Sequence, residues 1–95
     1  MFIHTFAFRW KTTVTEEQRL RMIGDIRALE SQIPGVLETV VGFNTSPRAQ
    51  GYEFGGVMKF PDRATFEAYN EHPVHQQLLS WLLPLIDPIE VDFEV

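Results

Sequence analysis

The chain has 95 residues, no cysteine, and thirteen acidic against eight basic side chains for a net charge of −5. A chain of this length buries only about 60 to 65% of the surface its unfolded form exposes, which sets the expectation of one domain over residues 1–95 with one modest core. The missing thiols exclude disulfides, thiolate metal sites and cysteine nucleophiles, and the scattered Arg and Lys residues lack the basic stripe that would suit nucleic acid as a partner.

Phe2 to Trp10, FIHTFAFRW, reads as a strand with Phe2, His4, Phe6, Phe8 and Trp10 on one face and Ile3, Thr5, Ala7 and Arg9 on the other. The charges that follow at Arg9, Lys11, Glu16 and Glu17 leave no room for a signal-peptide core or a membrane span of about 20 apolar residues, so the expected location is the cytoplasm and no membrane partner is expected. Thr15-Glu16-Glu17-Gln18 has the form of a capping box, with Thr15 as N-cap and Gln18 reaching back to it. Beyond it Met22, Ile23, Ile26, Leu29 and Ile33 make a helical stripe, which Pro34 and Gly35 end.

Val36 to Asn44 is rich in β-branched residues and predicts a second strand; the loop TSPRAQG leads to a third, from Tyr52 to Phe60. Pro61-Asp62 opens a short helix through Phe66 and Tyr69. Pro73 sits at N1 of another that takes in LLSWLLPLI and ends at Asp87-Pro88. Leu78, Leu79, Trp81, Leu82, Leu83, Leu85 and Ile86 are read as core rather than as a membrane-seeking face. The last segment, IEVDFEV, alternates Ile89, Val91, Phe93 and Val95 against Glu90, Asp92 and Glu94.

The order is β-α-β-β-α-β, an α+β, ferredoxin-like pattern: a four-stranded antiparallel sheet with helices on one face. One layer of helices leaves the second sheet face bare, lined by Ile3, Ala7 and residues of the later strands. A homodimer that packs two such faces together, a dimeric α+β barrel, is therefore expected.

Two of the three histidines stand in EHPVHQQ. His72, just before the N1 proline, reads as the N-cap. His75, at N3, meets the positive end of the helix dipole, which favours its neutral form. A neutral imidazole facing an apolar cavity suits a general base that removes a proton beside a carbonyl, with a tyrosine hydroxyl or a second histidine to steady the oxyanion. The competing reading is that His75 only bonds a backbone carbonyl, or that His4 and His75 bond each other. As metal ligands, His72 and His75 want a third partner that only Glu71 or His4 could offer, and no zinc-site spacing is met, so no metal is expected. Asp62, Glu67 and Glu71 read as a solvated acidic face. Arg9 and Arg48 are the side chains available to an anion.

His4, Gln32-Ile33-Pro34-Gly35-Val36, Gly51-Tyr52, Phe66-Glu67-Ala68-Tyr69, His72-Pro73-Val74-His75 and Val91-Asp92-Phe93, spread over nearly the whole chain, together resemble the stress-responsive A/B barrel (Dabb) domain family of dimeric α+β barrels. The family's enzymatic branch includes a plant polyketide cyclase that performs an intramolecular aldol condensation without a cofactor. The resemblance implies that His75 stands at its catalytic histidine, His4 at its first-strand pocket histidine and Tyr69 at a pocket tyrosine. Ile26 replaces a second tyrosine, and Phe6 and Phe8 put rings on the pocket face, so Phe6, Phe8 and Ile26 are expected to line a narrower, more apolar ligand site. Two functions follow: a cofactor-free enzyme of cyclase or lyase type acting on a small apolar carbonyl compound, or a dimeric stress-response module that binds a small hydrophobic ligand without transforming it.

Overall fold

The computed structural model describes residues 1–95. The elements are β1 (Phe2–Trp10), α1 (Glu16–Gln32), β2 (Glu38–Phe43), β3 (Phe54–Phe60), α2 (Arg63–Glu71), α3 (Pro73–Leu82), a single 3-10 turn (Leu83–Leu85) and β4 (Ile86–Glu94). The strands form one antiparallel sheet in the order β2-β3-β1-β4, ferredoxin-like as the sequence predicts.

The capping box at α1 forms in both directions, with Gln18 N–H donating to Thr15 Oγ1 at 3.1 Å and Thr15 N–H to Gln18 Oε1 at 2.8 Å. At the far end Gly35 turns at φ +90°, and a Cβ there would run into the Thr65 methyl group, so the turn after α1 seats directly on α2. Asp62, exposed like Glu67 and Glu71, is also the N-cap of α2. Its carboxylate accepts from Thr65 N–H at 2.8 Å and Thr65 Oγ1–H at 2.7 Å, which holds its pKa below the usual range.

Three boundaries differ from the sequence reading. β2 begins at Glu38 rather than Val36, and β3 at Phe54 rather than Tyr52. The last helix stops at Leu82, well before Asp87-Pro88, because Pro84 has no N–H to continue it; a 3-10 turn follows and Ile86 already belongs to β4. Pro88 is accommodated inside that strand because β4 is a sheet edge. The Leu-rich run is core only in part: Leu78, Leu82 and Ile86 are buried, while Leu83 is exposed.

Strand register assigns the faces. Phe2, Phe8, Phe54, Met58 and Phe60 point to the helices and are almost wholly buried. Phe2 stacks on Phe66 of α2 at 4.6 Å between ring centroids, and Phe60 meets the same ring edge-on at 5.3 Å. Gly56 lies between Val41 and Phe6 on this face, and a Cβ there would overlap both side chains, so the ring of Phe6 lies across β3 only because residue 56 is glycine. The opposite face presents Val40, Ile89, Val91 and Phe93, all substantially exposed, beside Ile3, Thr5, Ala7 and Val57.

Candidate functional site

The residues singled out in the sequence come together. His4, Phe6 and Phe8 of β1, Ile26 of α1, Tyr69 of α2 and His75 of α3 all line one cavity of about 80 Å³ between the sheet and the helices. Leu78, Leu82 and Ile86 form much of its remaining wall, and Glu90 is its one carboxylate.

His4 is the only buried residue of polar or charged type. Its Nδ1 stands 2.6 Å from Asp92 Oδ1, directly across the β1–β4 pairing. A carboxylate only accepts, so Nδ1 carries the hydrogen and Nε2 is the atom left for chemistry. Asp92 thereby fixes the tautomer of the His4 ring and stands where it would balance the charge of a protonated imidazole.

The pair in EHPVHQQ divides as expected. His72 is the N-cap of α3, its Nδ1 accepting from Val74 N–H at 3.1 Å. His75, half-buried, directs Nδ1 to the carbonyl oxygen of Asn70 at 3.0 Å and lays its ring 4.4 Å from that of Tyr69. The carbonyl bond is therefore present; the alternative bond between His4 and His75 is replaced by these separate anchors. Because the Asn70 carbonyl accepts, Nδ1 of His75 is protonated, and the neutral ring keeps its Nε2 lone pair free. Burial lowers the pKa of His75, and the charge of nearby His4 lowers it further, while the bond to Asn70 and the charge of Glu90 oppose the shift.

Tyr69 is buried, and its hydroxyl donates to the thioether of Met58 at 3.4 Å, a weak acceptor that a better one could replace. Burial, with the nearby charge of Glu90, raises its pKa so that it stays a neutral donor. Phe6 and Phe8 stack at 5.5 Å and narrow the cavity, as their place on the strand implies. Arg9 lies 3.6 Å from Asp87 and over the ring of Tyr52. No three His, Asp or Glu side chains gather as a metal ion would require.

Asp92 and Glu90 were not foreseen as members of the site. The available signal was the alternation in IEVDFEV, where Glu90, Asp92 and Glu94 occupy every second position. Once β4 pairs with β1, Asp92 falls opposite His4 and Glu90 opposite Phe6, on the helix side of the sheet.

The family model described as the stress responsive A/B barrel domain (Dabb) matches residues 2–95. A crystal structure of a protein from Arabidopsis thaliana superimposes with a TM-score of 0.89 at 20% identity, covering 100% of this chain and 95% of that one. A dimeric ferredoxin-like protein of unknown function from Thermobifida fusca gives 0.85 at 29% identity, covering 99% and 90%. A hydroxynitrile lyase from Passiflora edulis gives 0.84 at 20% identity, covering 98% and 93%. Among curated proteins, none matches the sequence.

Proposed function

The chain belongs to the stress responsive A/B barrel domain family, and from that premise we propose that it is a cofactor-free acid–base enzyme of lyase or cyclase type for a small apolar carbonyl compound. The supporting observation is the pair of imidazoles on one apolar cavity, each anchored through Nδ1, His4 by Asp92 and His75 by the Asn70 carbonyl. Neutral His75 takes a proton from the carbon next to the carbonyl. The C–H pair moves into a C–C double bond and the carbonyl π pair moves onto oxygen. His4, protonated against Asp92, donates from Nε2 to that oxygen, and Tyr69 is the second donor once its hydroxyl leaves Met58. In a cyclase the enol π pair then forms a bond to a second carbonyl carbon of the same molecule, whose own π pair moves onto its oxygen and takes the proton from His75, while the first C=O re-forms and its oxygen returns the proton to His4. In a lyase the C=O re-forms in the same way, the C–C π pair moves toward the next carbon, and the group there leaves with its bonding pair and takes the proton from His75. A hydroxynitrile lyase shares this fold.

A cavity of about 80 Å³ limits what enters. Drug-sized ligands take roughly 300 Å³ or more, so the enclosed part of the substrate is small. The protein acts as a homodimer through the outer sheet face, and no helix is long and apolar enough to cross a membrane; we place it in the cytoplasm. The small cavity, with Tyr69 turned to Met58, also favours a second reading, a dimeric module that binds a small hydrophobic molecule unchanged.

Deuterium exchange into butanone, followed by NMR in D2O, separates the two. The wild-type protein is expected to accelerate exchange beside the carbonyl, and His75→Ala to lose about 10² to 10⁴ of the acceleration. His72→Ala should retain it, losing about 1 kcal/mol of stability or less through a weaker cap. Binding without exchange would establish the module; exchange that survives His75→Ala would remove the histidine from the mechanism.

A further inference from the structure

Glu90 is the one side chain of the cavity with a formal charge and no partner. It lies on the helix side of β4 across from Phe6, while its neighbours on that side are engaged: Asp92 holds His4, and Glu94 meets Arg63 Nε at 3.0 Å. No Arg, Lys, His or backbone N–H pairs with Glu90, and its carboxylate is exposed at the edge of an otherwise largely apolar pocket. It lies near His75 and Tyr69, where its charge opposes proton loss from either ring. A carboxylate there has no structural work in the isolated chain: it caps nothing and its neighbours are apolar or already bonded. It does present a full negative charge to whatever protrudes from the cavity mouth.

We infer that Glu90 determines specificity: only the enclosed end of the carbonyl compound is apolar, and the site takes those whose opposite end is an ammonium or another hydrogen-bond donor and rejects those that end in a carboxylate. This rests on the acid–base reading above, with the carbonyl seated between His4 and His75 and the other end of the molecule directed outward. In a half-open pocket of about 80 Å³ only the small carbonyl end is enclosed, and the group beyond it extends toward the mouth where Glu90 stands. An ammonium there gains a charge-assisted hydrogen bond. A carboxylate meets repulsion from Glu90 and from a chain of net charge −5.

Aminoacetone, hydroxyacetone and pyruvate carry the three kinds of end group on nearly the same frame. Their dissociation constants are to be measured by NMR titration at low ionic strength, with exchange into D2O beside the carbonyl read on the same samples. The wild-type protein should bind aminoacetone tightest and pyruvate weakest, spanning about tenfold or more, and added salt should compress the span. Glu90→Gln, which keeps the shape and removes the charge, should bring the three to within about threefold while the fold, followed by circular dichroism, is unchanged. Equal affinities in the wild-type protein, a ranking that persists in Glu90→Gln, or no binding of any of the three would overturn the assignment. Exchange on all three without preference would leave the acid–base reading standing and remove only the role of Glu90. Preference without exchange would do the reverse.

Discussion

His4 and Asp92 join the first strand to the last through a 2.6 Å contact between an imidazole that is 7% exposed and a carboxylate that is 28% exposed. The bond has a structural and a chemical consequence. It satisfies the one buried histidine, and it leaves that histidine with a compensating charge whenever it is protonated. Asp92→Ala strands a buried Nδ1–H and should cost about 1 to 3 kcal/mol, a fall in Tm of several degrees or more for a domain this small. Asp92→Asn keeps an acceptor at the same place and should recover most of the stability, yet not the exchange rate, because a neutral amide does not balance an imidazolium. Thermal unfolding and butanone exchange at one fixed protein concentration provide the comparison. Equal stability in the wild-type and Ala forms would show that the bond contributes nothing.

His75 titrates below its ordinary value, chiefly because burial disfavours its charged form. The unfolded chain, in which histidine has a pKa of about 6.5, then binds more protons than the native state between that pH and the lower native value. The neutral group's contribution to stability is accordingly complete above about pH 6.5 and falls away as the pH drops toward the native pKa. Denaturant midpoints measured from pH 8 to 5 should fall less in His75→Gln than in the wild-type protein. The acid limb of any exchange activity should lie below pH 6.5 for the same reason. An activity that needs protonated His75, rising as the pH falls, would contradict the assignment of this residue as base.

The parts that could be read in the sequence are those fixed by short-range chemistry. Thr15 and Gln18 are three residues apart, His72 caps the helix that Pro73 begins, and the alternation in FIHTFAFRW put His4, Phe6 and Phe8 on one face without knowledge of any partner strand. Ile26, Tyr69 and His75 joined them through resemblance and element order. What could not be read depends on long-range register. Alternation in IEVDFEV reveals two faces but not which one turns inward. The apolar members Ile89, Val91 and Phe93 face away from the helices, and the acids face them. The partner of Asp92 is 88 residues away in sequence, so no local pattern marks it. The overlong last helix has a different cause: a run of leucines has helical propensity throughout, and only the missing N–H of Pro84, followed by the pairing of Ile86 with Trp10, ends it.

That inverted alternation also supplies the argument for the dimer. Val40 is 57% exposed, Val91 59%, Ile89 49% and Phe93 45%, on a face bordered by the ion pairs Lys59–Glu38 and Arg9–Asp87. An apolar centre with a charged rim is the anatomy of a protein interface, and Glu90, Asp92 and Glu94 of the edge strand point to the other side of the sheet, where they do not obstruct it. Light scattering at micromolar concentration should therefore report about 22 kDa, twice the 11.0 kDa chain. Val91→Lys tests the surface. In the isolated chain the side chain already meets solvent, so the monomer should fold with a change of about 0.5 kcal/mol or less. In the dimer a lysine at this position would be buried unpaired, at a cost of several kcal/mol counted in both subunits, and the mass should fall to that of one chain. A wild-type protein that runs as a monomer, or a Val91→Lys variant that remains a dimer, would mean that this face is not the interface.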